Sequence, residues 1–270
     1  MSYYKFIDLF AGIGGIRLGF EQAFKKNSET VFVSEWDEYA QKTYKANFES
    51  PKEIVGDITK INEKEIPTFD ICLAGFPCQA FSMAGQRKGF DDNYKGTCRG
   101  TLFLDVARIC EEHKPKVIFC ENVKGLTIHD KGRTFKIIKS TFENLGYNVF
   151  SQILNSRDFG VPQNRERIYI VCFRKDLEIE EFNFPKSTDS TKTIRDILEE
   201  NPVSAKYYLS TTYIETLKRH KARHEGFPDS YKLVLADTHL YKQFGNSVSV
   251  PVIAAIAGEI KKKLAKSEEK

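Results

Sequence analysis

The sequence predicts an α/β protein built on a mostly parallel, doubly wound sheet, with a smaller second region. Three observations predict it. Short β-rich runs alternate with segments of helical period through the first two-thirds of the chain. The helical segments are long enough to cross back over a sheet and cover both of its faces. The first run leads through a glycine turn straight into a helix, the arrangement that places ligands at the carboxyl ends of parallel strands.

Each element follows in order. "KFIDLF" reads as a strand, "AGIGG" as a tight turn and "IRLGFEQAFKK" as a helix. "TVFVSE" is the second strand and "EYAQKTYKANF" the second helix. Then come the strand "FDICLAG", the helix "TLFLDVARICEEH", the strand "KVIFCEN" and the helix "TFKIIKSTFENLG". "NVFSQILNS" and "RIYIVCF" complete the strands. After Phe173 the texture turns polar and turn-rich, as at an exit from the main domain. "TIRDILEE" and "YIETLKRHKARHE" read as helices, and "GNSVSVPVIAAIAGEIKKKLAK" as an apolar helix opened by a Gly-Asn turn. The predicted division is 1–174 for the catalytic and cofactor-binding domain, 175–242 for a reduced second region, and 243–270 for a segment that returns to the first.

A chain of 270 residues can bury a large core, and 41% hydrophobic with 29% charged residues is ordinary for a globular protein. Apolar runs are strand-length, so no membrane span is expected, and the N-terminus lacks a signal pattern. The expected location is the cytoplasm. The six cysteines form no C-x-x-C pair and no zinc-like spacing, so neither a metal site nor a disulfide framework is expected. Cys72, Cys110, Cys120 and Cys172 lie in apolar runs and read as core, whereas Cys98 has no assignment. A net charge of +4 permits a nucleic-acid partner without arguing for one.

Several residues stand where chemistry is done. The glycines of "DLFAGIGG" allow close approach of backbone to ligand, but their spacing is not the G-x-G-x-x-G fingerprint, which disfavours a nicotinamide enzyme. Glu35 ends the second strand, where a carboxylate commonly accepts from ribose hydroxyls; Trp36 can stack on adenine and Asp57 can accept from its amine. Together they suggest an adenosine-containing cofactor bound without a phosphate cradle. Cys78 in "GFPCQAFS" lies just past a strand, among Arg87, Lys88, Lys95 and Arg99, which can lower its pKa or contact phosphate. A loop thiol without a task is the equal alternative. Glu121 follows an apolar strand, where desolvation raises a carboxyl's pKa. Arg165 and Arg167, two apart, point to one face, where they can orient Glu121, hold phosphate, or form a surface ion-pair cluster.

Six ordered motifs resemble the prokaryotic cytosine-C5 DNA methyltransferases: "DLFAGIGG", "GFPCQAFSMAGQRKGFDD", "RGTLFLDVARI", "ENVKGL", "PQNRERIYIVCF" and "YKQFGNSVSVPVI". The resemblance implies the S-adenosylmethionine-dependent methyltransferase fold and methyl transfer to C5 of cytosine in double-stranded DNA, as in restriction-modification systems of bacteria and archaea. It makes Cys78 the nucleophile toward C6, Glu121 the holder of the base's N3/N4 edge, Arg165 a contact to the base and Glu121, and Arg167 a support. The cofactor site would use Phe10, Gly12, Gly14, Glu35, Trp36, Asp57, Ile58, Pro77, Leu102, Asn246 and Val248. The loop Ala80 to Arg99 resembles the lid over a flipped base.

The interval between Phe173 and Gln243 departs from the family. Roughly 30 residues separate "TIRDIL" from "GFPD", too few for a recognition domain with its own core. Most of that domain is expected to be absent, leaving weak, phosphate-dominated DNA binding. The alternatives are an incomplete cofactor-binding module, or a chain that needs a separate polypeptide for recognition. An RNA cytosine methyltransferase is a further alternative, disfavoured by Phe76 where that branch has a second proline. "KRHKARH" can touch phosphate or be a solvated helix face.

Overall fold

The β-rich runs pair into one six-stranded sheet. In this computed structural model the described residues are 2–51, 53–77, 93–94, 97–98, 102–188, 191–197, 219, 222–223, 225–235 and 237–268. The strands are β1 (Tyr4–Leu9), β2 (Ser28–Ser34), β3 (Ile71–Ala74), β6 (Val117–Val123), β7 (Tyr147–Asn155) and β8 (Glu166–Arg174), and β4 (Asn93–Tyr94) with β5 (Thr97–Cys98) forms a separate ribbon. The order across the sheet is β2-β1-β3-β6-β8-β7. β2, β1, β3 and β6 run parallel, while β8 is antiparallel to both neighbours.

Side-chain alternation divides the core between two faces. Ile7, Cys72, Ile118 and Ile170 pack with Val106 and Cys110 of α3 (Leu102–His113) and with Ile138 and Phe142 of α4 (Arg133–Asn144). Phe6, Leu73, Phe119 and Val171 pack with Phe20 and Phe24 of α1 (Gly15–Phe24) and with Val252 and Ile256 of the last helix, Val250–Glu268. Burying both faces explains why these strands are apolar almost throughout. Cys72, Cys110, Cys120 and Cys172 are all buried, and desolvation pushes each thiol up in pKa. Gly19 of α1 lets that last helix close in, since a Cβ there would stand 2.5 Å from Ile253.

Three details differ from the sequence prediction. The Gly-Asn pair does not open the last helix. It closes an unanticipated one, α5 (Asp237–Asn246), and the last helix is therefore α6 (Val250–Glu268). Few α5 side chains are apolar; Leu240 and Phe244 bury against Phe227, Ile13 and Ala40. "TIRDILEE" yields a single 3-10 turn, Ile194–Ile197, among its described residues. Of "YIETLKRHKARHE", all but four residues lie outside the described ones. The strand "KVIFCEN" runs through Val123, because β8 pairs with it as far as Val123 opposite Arg167.

Packing continues beyond Phe173. Phe182 is buried with its ring 5.5 Å from that of Phe173, and Ile179 is buried beside it. No helix among the described residues is long and apolar enough to cross a membrane.

Candidate active site

The carboxyl ends of β1, β2, β3 and β6 open onto one cleft of about 350 Å³, within the usual range for small-molecule sites. The glycine turn forms its floor. Phe10 adopts φ 56°, a sparsely populated conformation for a side-chain-bearing residue, and passes the chain into Ala11 and Gly12. Gly14, at φ 82°, caps α1, and a Cβ there would meet the Phe48 ring at 2.3 Å. Gly14 therefore serves the packing of the turn on α2 (Glu38–Asn47) and is not among the cleft-lining residues.

One end of the cleft is built around Glu35. Its two carboxylate oxygens accept the backbone N–H groups of Gly12 and Asp37, each at 2.7 Å. Burial raises its pKa, and those two amides oppose the rise. Trp36 lines the same end half-exposed. Asp57 caps the turn at Ile58–Lys60, accepting from Thr59 N at 3.1 Å. Ile58, Leu102, Asn246 and Val248 complete that wall. Added Cβ atoms at Gly12 and Gly56 would meet nothing within 4 Å, so both glycines border open space.

The other end carries the charges. Glu121 is only 8% exposed and points to the face shared with Tyr169 and Arg167, because strand β8 sets Glu121 opposite Tyr169 and Val123 opposite Arg167. Arg167 Nε stands 3.2 Å from Glu121 Oε1. That N–H is not directed along the oxygen, which has no hydrogen-bond partner among the described residues despite the close charge. Burial raises the pKa of Glu121, while Arg167 and then Arg165 lower it. The ion pair falls to Arg167. Arg165, expected to contact Glu121, instead donates to the carbonyls of Gly245 (3.4 Å) and Ser247 and faces Glu225 at 3.7 Å. Pro77 also lines the cleft. Cys78 and the greater part of the expected lid, including Arg87, Lys88, Lys95 and Arg99, lie outside the described residues.

Three cleft-lining residues lie in the "YKQFGNSVSVPVI" motif without being singled out from it. Lys242 lines the cleft and ties α5 to Asp37 at 3.2 Å. Gln243 and Ser247 line it as well. Tyr231 donates to the Ile13 carbonyl, and Asn47 exchanges hydrogen bonds with the Lys232 backbone at 2.7 and 3.0 Å. These contacts hold the "GFPDSYK" segment on the glycine turn and α2.

A model of the C-5 cytosine-specific DNA methylases matches residues 4–225 and 217–262. The chain belongs to this family. Among these methylases it is 45% identical to the Type II methyltransferase M.SsoII of Shigella sonnei over 311 residues, covering 95% of this chain and 80% of that one. It is 44% identical to M.HpaII of Haemophilus parainfluenzae over 332 residues (97% and 90%) and 39% identical to M.HhaI of Haemophilus parahaemolyticus over 316 (95% and 94%). The methylase fold is also shared with solved structures. These include Entamoeba histolytica methyltransferase EhMeth (TM-score 0.74, 21% identity, 100% of both chains) and S. pombe Dnmt2 (0.72, 18%, 97% and 99%). At such identities the likeness speaks for fold alone.

Proposed function

We propose that this methylase transfers a methyl group from S-adenosylmethionine to C5 of a flipped cytosine in double-stranded DNA, through a covalent bond between Cys78 and C6. The observation that carries the reading is the single cleft. The Glu35–Trp36–Asp57 end suits an adenosine, the Glu121–Arg167 end suits the edge of a base, and Pro77 stands on the wall between them. Cys78 is the next residue in the chain after Pro77.

The residues present fit the cofactor. A carboxylate pinned by two amides can accept ribose hydroxyls on its remaining lone pairs, an indole can stack on adenine, and Gly12 and Gly56 leave room where side chains would intrude. The bound cofactor would supply an electrophilic methyl group on a sulfonium sulfur. Cys78, as thiolate, would form the S–C6 bond, shifting the C5=C6 electron pair so that C5 becomes nucleophilic. Glu121 would hold N3 and N4 and give N3 the proton that balances the added negative charge. Arg167 would fix the Glu121 carboxyl against the base. Once C5 carries the methyl group and the sulfonium has become a neutral thioether, loss of the C5 proton to solvent would return the electron pair, break the S–C6 bond and free Cys78, and N3 would return its proton to Glu121.

A second observation favours a chain with reduced target recognition. The alignments to the Type II relatives span 311 to 332 positions, more than the 270 residues of this chain, so gaps open in it. The family model matches in two pieces that meet at 217–225, next to "GFPD". We therefore read 175–242 as a shortened recognition region, with a separate chain as one possible source of what is absent.

The deciding experiment traps the covalent bond. The protein and S-adenosylmethionine are incubated with duplex DNA carrying 5-fluorocytosine in many contexts, where fluorine cannot leave as a proton does. A denaturant-stable adduct that disappears in Cys78→Ala is the expected result. Adduct formation by Cys78→Ala would sink the assignment. Absence of adduct in the native chain, with cofactor bound, would move the reading to an incomplete module.

A further inference from the structure

Behind the cleft lies a buried acid outside the proposed chemistry. Glu225 is fully buried. Its Oε1 accepts Gln163 Nε2–H at 3.0 Å and faces Arg165 Nη1 at 3.7 Å. Its backbone is fixed on both sides: the N–H donates to Ala222 O at 3.1 Å, and the carbonyl accepts from Val250 N at 3.2 Å. A carboxylate removed from water persists when it is both bonded and charge-paired. Here the charge partner is one of the two arginines of the cleft.

We infer that Glu225 is a positioning residue, holding the Arg165 guanidinium on the cleft wall beside Glu121 and Arg167 and so setting the charge in which the base is received. The inference rests on the proposed methyl transfer and adds a residue to it. Glu121, Arg167, Arg165 and Glu225 form a set of two acids and two bases, and three of them line the cleft directly. Among the described residues, Glu121 feels Arg167 and Arg165 and the Tyr169 hydroxyl from the β8 side, and Glu225 from behind them. The arginines draw its pKa down and Glu225 draws it up. With Arg165 neutralised by Glu225, Glu121 answers mainly to Arg167. Without Glu225 a second uncompensated cation would hold Glu121 ionised, and an ionised Glu121 has no proton to give.

The test uses the full chain and Glu225→Gln, which keeps the shape and removes the charge. Glutamate carrying ¹³C at Cδ allows Glu121 to be titrated by NMR without DNA. Its midpoint should fall by roughly half a unit or more in Glu225→Gln, and Glu225→Asp should restore most of that. Methyl transfer at alkaline pH should drop about threefold or more, with the protonated fraction of Glu121, and cofactor affinity should be retained. A folded Glu225→Gln whose Glu121 midpoint does not move overturns the inference. If Glu225→Gln does not fold, the pair Arg165→Gln/Glu225→Gln removes both buried charges together. Its Glu121 midpoint should lie close to that of Arg165→Gln alone, since only the small direct effect of Glu225 is left, and a difference as large as the roughly half unit expected of Glu225→Gln would mean that Glu225 acts without Arg165, which also overturns the inference. The titration needs no turnover. A native chain that transfers no methyl group would count against the proposed reaction and leave the titration to decide Glu225.

Discussion

Glu121 leaves β6 on the side shared with Tyr169 and Arg167, where little water reaches it, and its burial raises its pKa against the pull of Arg167 and Arg165. A carboxyl held in its protonated form donates to N3, so methyl transfer should decline as pH rises through the raised pKa. Glu121→Gln has no proton to transfer and should lower kcat about 10²- to 10⁴-fold while cofactor affinity stays unchanged; single-turnover methyl transfer checks both. Glu35 makes a different contribution. Its charge strengthens two backbone hydrogen bonds that shape the cofactor end. Glu35→Gln should weaken S-adenosylmethionine binding about tenfold. Quenching of Trp36, the chain's one tryptophan, gives a direct readout because the indole stands in the cleft.

Among the elements, β1, α1 and α2 are joined by a buried polar chain that also backs the glycine turn. Asp8 of β1 accepts from Tyr44 of α2 at 3.1 Å, and Tyr44 accepts from Arg17 of α1 at 3.2 Å. Arg17 pairs with Glu21 at 2.6 Å and lies over the Phe48 ring at 4.3 Å. Burial pushes the Asp8 carboxyl up to about 7, with Arg17 and Tyr44 resisting. The sign follows from linkage: the folded state keeps a proton that the unfolded chain gives up near its ordinary carboxyl pKa. The contribution of Asp8 to stability is therefore complete below that ordinary pKa and lost as pH rises through about 7. Asp8→Asn removes this dependence. Relative to the native chain it should gain up to about 4 kcal/mol between pH 4 and pH 8. Urea midpoints at the two pH values, with slopes compared, would settle the matter.

At the scale of the whole molecule, the described residues pack together as far as Phe184 and again where "GFPDSYK", α5 and α6 return to the sheet and the glycine turn. The closing segment is held by its own contacts to Asn47, Ile13 and Thr43. A chain whose recognition region is reduced should contact DNA chiefly through phosphates. Its affinity for duplex DNA should fall by about tenfold or more between 50 and 200 mM salt, with little difference between sequences. Fluorescence anisotropy with several duplexes measures both quantities, and a salt-resistant preference for one sequence would refute the reading.

The sequence by itself determined the strands, because burial on both faces demands apolar runs such as "ICLA" and "VIFC" that nothing else in a globular chain requires. It also determined which residue types gather at strand ends, since Glu35 and Glu121 sit directly after or within such runs, and its six ordered motifs named the family. It did not reveal α5, whose few apolar side chains find their partners in distant segments. Nor did it assign the Glu121 ion pair to Arg167, which depends on the antiparallel register of β8, or disclose Glu225. Among the described residues, Gln163 and Arg165 meet its carboxylate and Val250 holds its backbone carbonyl, all from segments far away in the sequence. Local pattern records what a segment must bury; which charges meet is decided by contacts between segments far apart in the chain, and only the tertiary structure brings them together.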